Sequence, residues 1–308
     1  GEELIREILD VVSAWKLDGG GPRRELHRRL AGIAGVYVPS LYEQHYNNDG
    51  TVAETIPIDD AAPERVVRRV LQELEPPITK PVVPFIEVVH DRGAIEIQRG
   101  CTQGCRFCQA GMIYRPTRER SVEEVVRAAG ELMANTGYEE ISLMSLSTTD
   151  HREIGPMVNA LMDAYGDGGL KLSIPSTRVD SFSVDVANAV VRGKKHTLTL
   201  APEAGSQRLR NTINKLVSEQ DILTAAENAF SNGWTSIKMY FMVGQPTETD
   251  FDIEEIVRLA KEVKAIGRRH VGGRARVRVS TSNFIPKAHT HRISGSRKQT
   301  RRHCGAAT

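Results

Sequence analysis

From residue 93 onward the chain alternates short apolar runs with amphipathic stretches of helical period, and a parallel α/β sheet is the fold such alternation fits. Strands are predicted at residues 94–98, 141–146, 170–175, 196–201, 235–243 and 275–284. Helices are predicted at 121–135, 153–165, 184–192, 221–231 and 249–266, with further helical turns from Ser206. Ser121 with Glu124 three residues on has the form of a capping box, and Thr249 that of an N-cap. The short spacings with right-handed crossovers predict a TIM-like partial (β/α)6 barrel rather than a doubly wound sheet, although periodicity alone leaves both open.

Residues 1–90 read as an N-terminal helical and hairpin appendage with its linker, 91–290 as the core barrel, and 291–308 as a disordered basic tail. In the appendage Leu4, Ile5, Ile8, Leu9 and Val12 recur at helical spacing, and Gly19, Gly20, Gly21 and Pro22 break that helix from a second one running to about residue 30. Residues 41–56 read as a hairpin turning at Asn47, Asn48, Asp49 and Gly50. Pro63 is expected to open a third helix carrying Val66, Val67, Val70, Leu71 and Leu74 on one face. EPPITKPVVP, residues 75–84, reads as an extended connector. His27 and His45 are lone histidines and are read as structural.

Within the predicted barrel, QRGCTQGCRFCQAGMIY places Cys101, Cys105 and Cys108, three of the chain's four cysteines, inside eight positions. Packing does not require such a concentration, and the cysteines read as metal ligands. Zinc would want a fourth ligand, and no His or Cys follows at finger spacing; His151 and His196 are too remote. A [4Fe–4S] cubane normally takes four thiolates, so three leave one iron open to an exogenous ligand. Cys304 lies in the polar tail and is expected to take no part. Thiols that must stay reduced imply a cytoplasmic compartment. No apolar run approaches the roughly 18 residues of a membrane span, and none reads as a signal peptide. The net charge of +2 is spread along the chain and does not by itself point to nucleic acid.

In parallel barrels chemistry collects at the carboxyl ends of the strands. Those ends carry Ser145, Ser147, Thr148, Thr149 and Asp150 after the second strand, and Ser176, Arg178 and Asp180 after the third. After the fourth come Glu203, Gly205, Ser206, Arg208 and Arg210, and after the fifth Gly244 and Pro246. Singly each has a structural reading as a cap, a turn or a solvated face; their convergence on one cysteine loop favours a site.

The CxxxCxxC spacing, with Phe107 before the last cysteine, resembles the cluster loop of the radical S-adenosylmethionine (SAM) enzymes. The likeness covers about residues 90–290. It implies a [4Fe–4S] cluster on Cys101, Cys105 and Cys108, SAM as second cofactor, and an electron donor such as flavodoxin or ferredoxin. By position it places Ser147 and Thr148 where the family's backbone binds the SAM amino group, although SLSTTD stands here for the usual Gly-Gly-Glu. APEAGSQRLR resembles the ribose-binding region, with Glu203 as its acid and Arg208 and Ser176 among the surrounding contacts. Arg178 resembles the residue pairing with the SAM carboxylate, and Val243 with Gly244 the stretch that packs on adenine. More narrowly, EVVHDRGAIEIQRGCTQGCRFCQAGMIYRP and TLAPEAGSQRLRNTINK look like an uncharacterised bacterial group of cobalamin-binding-domain radical SAM proteins. No Asp-x-His-x-x-Gly cobalamin motif occurs, so the chain is expected to be a fragment, with cobalamin only through a domain absent here.

The activity implied is reductive cleavage of SAM to a 5′-deoxyadenosyl radical, with an unknown substrate and no membrane partner. The alternatives are a non-catalytic iron–sulfur or zinc module on the same scaffold and an RNA methylthiotransferase-like enzyme. Beyond Thr290 the family likeness stops, which suggests truncation or a frame change; the competing reading is an RNA-binding tail built on Arg292, Arg297, Lys298, Arg301 and Arg302.

Overall fold

The computed structural model describes residues 1–86, 88–175 and 197–290. The expected helix at 184–192, Ser176, Arg178, Asp180, His196 and everything from residue 291, including Cys304, lie outside the described residues. The chain divides into two compact units, residues 1–73 and 74–308.

The first unit holds α1 (Glu2–Leu17) and α2 (Arg23–Ala31), then a hairpin of β1 (Tyr42–Tyr46) and β2 (Val52–Pro57). The hairpin turns at Asn47–Gly50, where Gly50 takes φ 76° and the Gly50 N–H donates to Asn47 O at 2.9 Å. Ala31, Val38, Leu41 and Ala62 form a small core. Beside it Asp59 accepts from the Ala61 N–H, Arg24 and Arg28, which together hold its carboxyl below the usual range.

The helix expected from Pro63 to residue 74 does not form. Three of its five apolar positions are β-branched valines, poor helix formers, and Val67 is left exposed. Arg69 instead bridges Glu3 at 2.8 Å and Glu7 at 2.7 Å on α1, while its Cβ lies close against Gly35. Residues 75–84 form neither helix nor strand; the Glu75 and Thr79 carbonyls accept from Arg120 and Asn135.

Among the described residues of the second unit, six strands form two three-stranded parallel sheets flanked by helices. The first sheet is β3 (Gly93–Glu96), β6 (Glu140–Met144) and β7 (Lys171–Ser173), in that order. A second sheet follows the same rule with β8 (Leu198–Glu203), β9 (Ser236–Val243) and β10 (Arg276–Asn283). This is the α/β architecture of the TIM-like partial (β/α)6 barrel, with sequence-adjacent strands paired in parallel. Between β3 and β6 the chain inserts β4 (Gln98–Arg99), α3 (Gln109–Ile113) and β5 (Arg118–Glu119), with β4 and β5 antiparallel. The predicted continuous strand 94–98 therefore breaks at Ile97, where the chain leaves the sheet to build the cysteine loop.

Helices α4 (Val122–Thr136) and α5 (Ile154–Tyr165) cover the first sheet, and α7 (Glu219–Ser231) and α8 (Asp250–Val271) the second; the short α6 (Gln207–Thr212) follows β8. Ile95, Ile141, Leu143, Val125, Leu132, Met157 and Leu161 form one core. Ile237, Met239, Phe241, Ile222, Phe230, Leu259 and Val263 form the other. Each large side chain so buried contributes about 1.5–3 kcal/mol. Only half of the expected capping box at α4 is present: the Ser121 hydroxyl accepts from the Glu124 N–H at 3.2 Å, but the Glu124 carboxylate pairs with Arg120 at 2.5 Å. Among the described residues no helix is long and apolar enough to cross a membrane.

Candidate active site

The cysteine loop opens at Gly100. Its φ is 94°, and a Cβ there would lie 2.8 Å from Tyr114 O and 2.9 Å from Pro116 O, so only glycine fits this return of the chain. Cys101, Cys105 and Cys108 form no disulfide and are half-buried. Cys101 Sγ accepts from the Gln103 N–H at 3.4 Å, and Cys108 Sγ caps α3 by accepting from the Gly111 N–H at 3.3 Å. Among the described residues no set of three or more His, Cys, Asp or Glu side chains is gathered where one metal ion could sit. The fit to a cluster therefore rests on donor chemistry: three soft, accessible sulfurs in one short loop, two of them facing backbone N–H donors of the kind that tune metal-bound thiolates.

The segment after β8 braces this loop directly. Asn214 Nδ2 donates to Gly104 O at 2.8 Å, the Arg106 N–H to Ile213 O at 2.9 Å, and the Arg106 guanidinium to Thr212 O at 2.7 Å. Phe107 packs on Ala204, Leu209 and Ile213, which makes it an apolar pillar between loop and α6. The same segment begins at Glu203, which ends β8 at φ 69° after a break in register. A glutamate in the left-handed region is strained, and strain of this kind collects at functional sites. Burial pushes its carboxyl up from the usual range, and the nearby Lys215 offsets only part of this. Gln245, fully buried, holds the strained residue from behind by donating to Glu203 O at 2.8 Å and Met242 O at 3.1 Å.

Two arginines of this stretch have divided tasks. Arg210 is fully buried and donates to Ala204 O at 3.1 Å, Gly205 O at 2.7 Å and Val217 O at 3.0 Å, locking the turn after Glu203. Gly205 in that turn lies against α8, where a Cβ would run into the backbone of Asp252 and Ile256. Arg208 is committed elsewhere, to an ion pair with Asp252 and a hydrogen bond to Thr247 O at 2.9 Å. Burial works against the Asp252 charge, but hydrogen bonds from Ser206, Thr249 and Arg208 outweigh it and hold the carboxyl below the usual range. Two residues beyond Phe241, which pairs with Glu203, Val243 ends β9, and Gly244 takes φ 80° with open space where a Cβ would stand.

The hydroxyl run after β6 reaches the loop from the other side. Gln103 Nε2 donates to Asp150 Oδ2 at 2.9 Å, and that oxygen also accepts from Ser147 Oγ at 2.7 Å. Ser145 and Thr148 share a hydrogen bond of 3.0 Å, and Ser147 and Thr148 are buried. Their hydroxyls are thus engaged within the segment. His151 is buried too, its Nε2 3.1 Å from Arg120 O and its Nδ1 accepting from the Glu153 N–H. The residues that tie the site together, Gln103, Arg106, Asn214 and Gln245, went unnoticed in the sequence. Asn214 alone leaves a local sign, a φ of 54° of the kind asparagine tolerates.

A three-thiol loop joined through Asn214, Arg106 and Phe107 to the segment after β8 stands at the strand ends of a parallel α/β core, the end where barrel folds gather their chemistry. The chain belongs to the radical SAM superfamily, whose family model matches residues 95–260. It is 40% identical over 292 residues to an uncharacterized protein of Methanocaldococcus jannaschii, across 93% of this chain and 57% of that one. It is 27% identical over 184 residues to the tRNA-2-methylthio-N(6)-dimethylallyladenosine synthase of Koribacter versatilis, across 57% of this chain and 41% of the relative. The chain thus spans about half the length of these curated relatives. Among solved structures, the cobalamin-dependent radical enzyme OxsB with aqua-cobalamin and SAM bound aligns at a TM-score of 0.46 and 14% identity, covering 54% of this chain and 26% of that one.

Proposed function

We propose that this chain is the catalytic core of an enzyme that cleaves SAM reductively at a [4Fe–4S] cluster held by Cys101, Cys105 and Cys108. The observation that carries the reading is the junction of the cysteine loop with the Glu203 segment through Asn214, Arg106 and Phe107. Cluster and SAM together would supply the one-electron chemistry that yields a 5′-deoxyadenosyl radical. The chain's own residues bind and orient. Glu203 offers two acceptors suited to a pair of ribose hydroxyls. Gly244, lacking a side chain beside Val243, leaves room for a flat base to approach. Since the Ser147 and Thr148 hydroxyls are engaged with their own segment, that stretch would bind through backbone groups. Arg208 is spent on Asp252, which leaves Arg178 as the residue we assign to the SAM carboxylate, on resemblance alone. A flavodoxin or ferredoxin would deliver the electron, in the cytoplasm, where the thiols stay reduced.

Anaerobic reconstitution with iron and sulfide, followed by dithionite and SAM, should release 5′-deoxyadenosine and methionine. Cys108→Ala should lose the iron, and Glu203→Ala should keep it while weakening SAM binding by roughly ten- to a hundredfold. A loaded cluster that releases no 5′-deoxyadenosine would sink the catalytic reading in favour of a non-catalytic module. The name of the Koribacter relative favours methylthio transfer to RNA as the downstream reaction; cobalamin-linked methyl transfer would need a cobalamin site as well.

A further inference from the structure

Among the described residues the second sheet has one covered face and one open one. Ile237, Met239 and Phe241 of β9, with Leu198 and Leu200 of β8, pack under α7 and α8. Side chains alternate across a strand, so the residues between them point the other way. In the observed register the open face carries Ser236 beside Arg276, then Thr199, Lys238 and Arg278 in one row across three strands, then Tyr240 beside Ser280 and Met242 beside Ser282. Arg276 and Arg278 are exposed, and no acidic residue lies in these rows. Among the described residues no carboxylate pairs with Lys238, Arg276 or Arg278. Lys238 instead lies 4.4 Å from the Tyr240 ring centroid and donates to its hydroxyl at 2.6 Å.

Barrel strands ordinarily fill this face with branched apolar side chains, so three cations there call for an anion. Neighbouring strands lie about 4.8 Å apart and alternate residues about 6.6 Å, which brings all three within reach of a single group. A carboxylate carries one charge and is met by one arginine fork; a phosphate monoester carries about 1.5 to 2 charges and three acceptor oxygens. The cations occupy the first half of β9 and β10, and the rows above them are neutral. The patch is therefore compact, whereas a nucleic-acid track would extend along the strands.

We propose that this face binds the substrate and that the substrate bears a phosphate group held by Lys238, Arg276 and Arg278. This rests on the radical SAM reading for its chemistry, though not for the anion site itself. From Arg278 to Ser282 the face rises about 13 Å toward the strand ends where Glu203 lies, so the reacting carbon should stand on the order of 10 Å from the phosphate.

The full chain should bind inorganic phosphate saturably at low salt, in the millimolar range by calorimetry, and acetate should not compete. Lys238→Gln combined with Arg278→Gln should raise the dissociation constant about tenfold or more. Arg269→Gln, an exposed charge on α8 at the covered side of the sheet, should leave it unchanged. Absence of saturable binding, or an equal loss in the Arg269 variant, overturns the proposal. So does a short RNA that binds through Lys238 and Arg278 and is not displaced by phosphate, since the face would then serve nucleic acid. Phosphate binding by a protein that releases no 5′-deoxyadenosine would support the anion site and count against the radical reading. Release of 5′-deoxyadenosine with no phosphate binding would count against this proposal alone.

Discussion

The segment after β6 and the segment after β8 both reach the cysteine loop, one through Gln103 and Asp150 and the other through Asn214 and Gly104, and they are built on different principles. After β6 the hydroxyls satisfy one another and Asp150, so their polar side chains are consumed in holding the turn. After β8 the backbone is held from outside by Arg210 and Gln245, and among the described residues no hydrogen bond in the turn engages the strained Glu203 carboxylate. A strand end intended to present a side chain needs its backbone fixed by other residues; one intended to present backbone can spend its side chains locally.

The largest test of that contrast is Arg210→Met. It leaves the buried Ala204, Gly205 and Val217 carbonyls without their donor, and chemical denaturation should show a loss of about 3–5 kcal/mol. Gly205→Ala should follow at about 1–3 kcal/mol, because the added methyl forces α8 away from the turn. Its melting temperature should drop correspondingly, and a normal value would mean the turn is softer than the packing implies. Thr148→Val, the counterpart after β6, should cost only about 1 kcal/mol, one buried hydroxyl with partners on Ser145 and Leu143. Were Thr148→Val to cost more than Arg210→Met, the two segments would have exchanged roles.

The smallest effect separates Glu203 by pH. Burial raises its folded-state pKa above the unfolded value, so the folded protein holds the proton more tightly and loses stability as pH rises between the two. Glu203→Gln lacks that loss. The stability difference, variant minus wild type, should therefore grow from the ordinary carboxylate range upward to the raised value and be flat on either side. A difference that stays level across the whole range would mean Glu203 is not shielded from water.

Local pattern was enough for much of this protein. Period and caps placed the described parallel strands to within about two residues, and Ser218 and Thr249 cap their helices through side chains three positions away, a distance any reading of the sequence spans. The three cysteines and Glu203 stood out by spacing and by family likeness. The helix expected from Pro63 failed because apolar spacing says nothing of the Arg69 pairs with Glu3 and Glu7 that hold that stretch irregular.

What the sequence by itself determined is therefore whatever depends on neighbours within a turn or a strand: the α/β order, the helix breaks, and the three-thiol loop. Only the tertiary structure decided which arginine is buried and which is surface-paired, since Arg210 and Arg208 read alike in QRLRN. It also decided that Asn214 meets Gly104 across 110 positions, and that Lys238, Arg276 and Arg278 share one open face. Contacts of that kind depend on chain closure, and the free energy that selects them lies in groups far apart in sequence, where no local pattern records it.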